Sequence, residues 1–210
     1  ISCSLVGSEM CIRDRRYDGV AYFFRALFYF EKVRKYGDIP YYDFVIPSND
    51  WASLKRPRDS RGFVMKKVME DLDRAITDLP DNWPSDALYR LSKNAARAMK
   101  ARAALYEGTF RKYHGIDLPE NDWKYYLDLS AKASEEFITN SGYGLYTSGG
   151  TQTAYRDLFV SEDAQQIEVV LARDYNKGLS VFHNSTFYSL NTSYGRPGLT
   201  RKIVASYLMA

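Results

Sequence analysis

Residues 17–40 read Tyr17-Asp18-Gly19-Val20-Ala21-Tyr22-Phe23-Phe24-Arg25-Ala26-Leu27-Phe28-Tyr29-Phe30-Glu31-Lys32-Val33-Arg34-Lys35-Tyr36-Gly37-Asp38-Ile39-Pro40. Val20, Phe23, Phe24, Leu27, Phe30 and Val33 recur at steps of three and four, so one broad apolar stripe runs along a helix. Ala21 and Ala26 are small enough to let a second helix approach between the rings. Gly37 follows the last periodic residue, Arg34 and Lys35 occupy the final turn, and Pro40 stands three residues on. Glycine accepts the left-handed cap and the cations meet the negative end of the helix dipole, so the helix stops there.

Residues 37–58 form a loop punctuated by Pro40, Pro47 and Pro57 and carrying Tyr41, Tyr42, Phe44 and Trp51. A loop this long either binds something or packs on its own side chains. Asp59 or Ser60 opens a second helix with core positions Val64, Val68, Leu72, Ala75, Ile76 and Leu79, ended by Pro80 and Pro84. Glu70 and Arg74 are expected to pair on its surface. Ser92 caps a third helix, from Lys93 to about Tyr113. Its alanines (95, 96, 98, 101, 103 and 104) are expected to let a partner backbone come near, with Met99, Leu105, Tyr106 and Phe110 as knobs. A fourth helix spans about Asp122 to Thr139, with Trp123, Tyr126, Leu127, Ala133, Phe137 and Ile138 inward and Gly142 closing it.

These helices make two antiparallel pairs in a mainly α fold. The pairs are similar to tetratricopeptide repeats of an α-α superhelix, although long loops break the 34-residue period. Repeat units need neighbours to cover their apolar faces, so a partner or further sequence is expected. From Ser148 the character changes to a loop-rich segment. Within it, residues 154–159 suggest a short helix, residues 168–172 a strand, residues 176–198 irregular loop and residues 200–208 a last amphipathic stretch. The organisation expected is a non-native leader at 1–15, helical repeats at 16–147, and the start of a loop-rich ligand-binding region at 148–210.

Composition excludes several function classes. The net charge of +3 and the absence of a basic stripe argue against nucleic acid. No apolar run is long enough to span a membrane. Both cysteines, Cys3 and Cys11, lie in the first 15 residues, which have neither periodicity nor the form of a signal peptide. The remainder therefore has no disulfide or thiolate chemistry. His114 and His183 are not at metal-ligand spacing, so no metal or other cofactor is expected. No nucleophile elbow, phosphate loop or EF-hand pattern is present. Asp71 and Asp73, two apart on a helix, point to different faces and read as solvated surface charge rather than a glycosidase pair.

Rings supply the one positive signal. Aromatic residues make up 15% of the chain, which serves either helix interfaces or sugar stacking and so decides nothing alone. Their crowding in residues 182–196 is more specific. Tyr188, Asn191, Tyr194, Arg196 and His183 combine rings that can face a pyranose with groups that hydrogen-bond its hydroxyls. Tyr41, Tyr42 and Trp51 are candidates in the exit loop. For each ring the competing reading is packing between loop and helices.

Five motifs in order resemble the SusD/RagB family. Tyr22 to Phe30 followed by Tyr36-Gly37-Asp38-Ile39-Pro40 matches its opening signature. Glu70 to Ala75 with Leu79-Pro80, Asn94 to Gly108, Leu158-Phe159 with Glu168-Val169-Val170, and Thr200 to Val204 follow, although Ala205 stands where the family has Asp. The resemblance implies a surface lipoprotein of a Gram-negative outer membrane. It implies that the protein binds oligo- or polysaccharide, or another nutrient such as a peptide, without cleaving it, for a TonB-dependent, SusC-like transporter. The family's members are much longer, which implies an internal piece whose lipid anchor lies elsewhere. The alternatives are a generic tetratricopeptide-type scaffold for protein partners and an all-α glycosidase.

Overall fold

The computed structural model describes residues 8–83, 89–116, 118, 122–176, 178–191, 193 and 198–208, with side chains from residue 13 onward. Eight helices lie among them: α1 (Ser8–Tyr36), α2 (Trp51–Leu54), α3 (Arg61–Asp78), α4 (Lys93–His114), α5 (Trp123–Asn140), α6 (Gly150–Val160), α7 (Ser185–Leu190) and α8 (Arg201–Leu208). The described residues contain no strand, only an isolated antiparallel bridge between Ile39 and Asp59. Contacts divide the chain into two units, residues 1–172 and 173–210.

Helix ends follow side-chain chemistry. Gly37 takes φ +73°, and its N–H donates to the Val33 carbonyl at 2.9 Å, closing α1. The Ser60 hydroxyl accepts from Phe63 N–H, and the Ser92 hydroxyl from Ala95 N–H, opening α3 and α4. Asp122 caps α5 through Tyr125 N–H.

In the first unit α1 packs on α3, α3 on α4, and α4 on α5. Each neighbouring pair is antiparallel. Gly19 meets Leu79 while Asp38 meets Arg61. Lys100 reaches Asp73 while Glu107 reaches Arg61, and Arg97 faces Glu136 while Gly108 meets Leu127. Two successive helix hairpins are thus stacked in the manner of tetratricopeptide repeats. Small residues set the spacing. Ala96, Ala103 and Ala104 are fully buried, and a Cβ on Gly108 would come within 2.8 Å of Leu127.

The core joins Phe23, Ala26, Phe30 and Val33 of α1 to Val64, Val68, Leu72 and Ala75 of α3, and to the alanine face of α4. Some expected core positions face solvent instead. Phe24 is 54% exposed, Leu105 51% and Ile138 77%. The buried stripe of α1 is narrower than its sequence and turns toward Tyr29, which is 7% exposed.

Charge lies inside as well. Glu107, fully buried, accepts from Arg61 at 2.7 and 2.9 Å and from Arg111 at 2.7 Å. The Arg61 guanidinium lies 3.8 Å from the Phe110 ring centre, and that of Arg111 4.6 Å from Tyr126. The second buried carboxylate corrects the surface reading of Asp71. It is 3% exposed and takes two hydrogen bonds, at 2.6 and 2.7 Å, from Arg25 of α1. That pairing pushes the Arg25 pKa above its ordinary value. Only Asp73 is solvated, on Lys100. The expected Glu70–Arg74 pair is replaced, because Lys67 holds Glu70 at 2.8 Å while Arg74 lies over the Tyr22 ring.

The turn after α1 is built from its own polar groups. Asp38 accepts from the Arg61 N–H at 2.8 Å, the Asp59 N–H donates to the Ile39 carbonyl, and the Asp59 carboxylate accepts from Tyr41 N–H at 2.7 Å. The Tyr29 hydroxyl bonds both the N–H and the carbonyl of Tyr42. Further on, residues 168–172 form no strand. Glu168 instead accepts from Tyr146 N–H at 2.7 Å, while Val170 packs against the core. The short helix expected at 154–159 is present as the longer α6.

The second unit contains α7 and α8. The presence of α7 corrects the expectation of continuous irregular loop over 176–198. The amphipathic stretch forms α8.

Two outcomes follow from these buried groups. Glu107→Ala leaves two buried guanidiniums without their carboxylate and is expected to cost about 3–5 kcal/mol in denaturant unfolding; removing the exposed, solvent-screened Lys132–Asp128 pair should leave the unfolding midpoint essentially where it was. Burial pushes the Tyr41 phenol up to about 12 from its ordinary 10.0, so the fold favours its neutral form. That contribution is complete below the unfolded pKa and is lost as pH rises through the folded one. Stability should hold level up to about pH 10 and fall toward about 12. The fall should be smaller in Tyr41→Phe.

Candidate functional site

The exit loop sorts its rings by burial. Tyr41 is 6% exposed, with its ring 4.6 Å from that of Tyr29 and packed against Phe63, so it serves the core. Tyr42 is half-buried and donates its hydroxyl to the Ser53 carbonyl at 2.6 Å. Trp51 begins α2, where Asp50 accepts from both the amide and the hydroxyl of Ser53. These two bonds hold the Asp50 pKa below its ordinary value. The indole of Trp51 stays 65% exposed, and Phe44 stands out beside Tyr42. The loop therefore packs on itself and still presents two rings.

In the second unit, the His183 ring meets Tyr175 edge-on, and its Nδ1 accepts from the Ser185 N–H at 3.3 Å. Tyr188 sits on α7 beside Phe187, both with nearly half their surface exposed. The Asn191 N–H ends α7 on the Phe187 carbonyl, and its side chain accepts from Ser193 N–H. His183 and Asn191 thus brace the two ends of the helix that carries Tyr188. Tyr194 and Arg196 lie outside the described residues.

A third ring-bearing surface had no sequence signal, because it joins residues of α1 to residues far along the chain, such as Arg16 and Arg90, 74 positions apart. A cleft of about 690 Å³ in the first unit is lined by Arg16, Tyr17 and Phe24 of α1 and by Trp83, Tyr89 and Arg90 of the connection to α4. The Trp83 indole N–H donates to the Leu91 carbonyl at 2.8 Å, which fixes the ring. Two guanidiniums approach it, Arg16 at 5.4 Å and Arg90 at 5.1 Å from the ring centre. Among the described residues no group of three or more His, Cys, Asp or Glu side chains could hold a metal. No described helix is long and apolar enough to cross a membrane.

Comparison with known proteins matches residues 6–105 to the SusD-like family described as starch-binding and associating with the outer membrane. A SusD-like protein, P2, of Formosa agariphila is 40% identical over 94 residues, covering 44% of this chain and 18% of that protein. The crystal structure of a SusD-like protein from Bacteroides fragilis superposes with a TM-score of 0.63 at 28% identity, over 79% of this chain and 28% of that one. A further structure, solved with a xylogluco-oligosaccharide, shares the fold with a TM-score of 0.56 at 20% identity, over 79% of this chain and 30% of that one. The chain thus spans less than a third of the length of these relatives. Its ordered sequence motifs, its stacked helix hairpins and these likenesses agree, and over residues 6–105 the chain is similar to the SusD-like family.

Proposed function

We propose that this chain is part of a cell-surface protein that binds glycan at the outer membrane and passes it to a TonB-dependent, SusC-like transporter, without cleaving it. The observation that carries this reading is the family match over residues 6–105, with its description of starch binding at the outer membrane. The geometry supports it with exposed, locally braced rings. Trp51 and Phe44 stand on the exit loop, and Tyr188 stands on α7 between His183 and Asn191. A pyranose presents a C–H face to such rings, and the neighbouring amide and imidazole groups hydrogen-bond its hydroxyls. Tyr42 gives its hydroxyl to Ser53 and positions the Trp51 helix, and Tyr41 acts through the packing beneath it. Tyr194 and Arg196 extend the same proposal by composition. A lipid anchor belongs to the reading as the means of surface attachment.

The test is affinity electrophoresis and calorimetry of the full-length protein on starch and other polysaccharides. Retention without hydrolysis is expected, and Trp51→Ala or Tyr188→Ala should weaken it about tenfold while stability moves by under about 0.5 kcal/mol. Retention by no glycan, or release of shortened oligosaccharides by the purified protein, would overturn the reading.

A further inference from the structure

The cleft between α1 and the segment before α4 holds cationic groups that no carboxylate among the described residues pairs with. Arg16 and Arg90 come from positions 74 residues apart and converge on one indole, within 5.4 and 5.1 Å of its centre. Like charges brought together raise the local potential unless a counter-charge lies near. Among the described residues no carboxylate oxygen comes within 4 Å of either guanidinium, nor of Arg13 at the rim. Asp81, in the same connection, is engaged with Lys93 at 3.4 Å and Arg97 at 3.9 Å. Arg25, Arg56, Arg61 and Arg111 reach carboxylates at 2.9 Å or less, whereas Arg74, like Arg16 and Arg90, lies over a ring.

Space and apolar surface accompany the charge. The cleft holds about 690 Å³, enough for one or two sugar rings, and is open to solvent. The guanidiniums occupy the neighbourhood of Trp83, leaving Tyr17, Phe24 and Tyr89 as the free ring faces. These are 67%, 54% and 42% exposed. Guanidinium forks match the paired oxygens of a carboxylate or a sulfate, and exposed rings match the C–H face of a pyranose.

We propose that this cleft binds an anionic sugar residue, carboxylated or sulfated, with Arg16 and Arg90 on its acidic group and Tyr17, Phe24 and Tyr89 against its ring. The proposal rests on the glycan-binding reading and adds to it the charge class of one ligand subsite. Trp83 is a positioning residue, since it holds the two guanidiniums and is itself tied to Leu91.

The experiment is isothermal calorimetry of the full-length protein with three probes of matched length: oligogalacturonate, a sulfated carrageenan oligosaccharide and a neutral malto-oligosaccharide. At least one anionic probe is expected to bind about tenfold or more tighter than the neutral one. Its affinity should fall as sodium chloride is raised. Arg16→Gln with Arg90→Gln should abolish the preference while leaving the melting temperature unchanged. Arg16→Lys with Arg90→Lys should keep the salt dependence but weaken binding, because the forks are lost. Neutral binding with no anionic preference, or a preference that survives the glutamine pair, would overturn this inference and leave the glycan reading standing. Failure of every probe, the neutral malto-oligosaccharide included, would count against both.

Discussion

Glu107 sits fully buried between two guanidiniums, one from each of two helices, and this arrangement constrains most of the first unit. A carboxylate with no access to water must keep its partners, so α3 and α4 can only pack with Arg61 opposite Glu107. Arg61 is the first residue of α3, and its backbone N–H is held by Asp38 just past the end of α1. The stop at Gly37, the length of the exit loop and the register of α3 on α4 are therefore one problem with one solution. Gly108, beside Glu107, settles the other side by letting α5 approach.

That arrangement gives the exit motif a physical meaning. Tyr36-Gly37-Asp38-Ile39-Pro40 turns the chain with a left-handed glycine, holds the first N–H of α3 with Asp38 and bridges to Asp59 through Ile39. The loop beyond it is long because it folds over Tyr29, whose hydroxyl ties down both polar groups of the Tyr42 backbone. Its outer rings, Phe44 and Trp51, stay exposed to solvent.

Helix positions and caps were legible in the sequence because they depend on local chemistry: periodicity for α3, serine hydroxyls at Ser60 and Ser92, glycines at 37 and 142. What depended on partners far along the chain was not. Asp71 looks like surface charge until Arg25 arrives from α1, and Glu107 was hidden in a helix notable for alanine. Phe24 shares the period of Phe23 but falls where no helix covers it. Residues 168–172 have strand composition, yet their backbone has no edge to pair with, and Glu168 bonds a loop amide instead. The cleft at Trp83 was invisible for the same reason as Asp71, since its halves meet only in space. The candidate rings of the second unit were found by local crowding; what each does there depends on α7, which crowding does not reveal.

The central claim is that the buried Glu107 cluster couples the two helix hairpins. Native-state hydrogen exchange of the Glu107→Ala protein, compared with the parent chain, tests it most directly. Protection should fall in α4, in the first turns of α3 and at the end of α1 alike, since Arg61 and Asp38 lose their anchor together. Loss of protection confined to α4 and α5, with α1 and α3 unaltered, would contradict it.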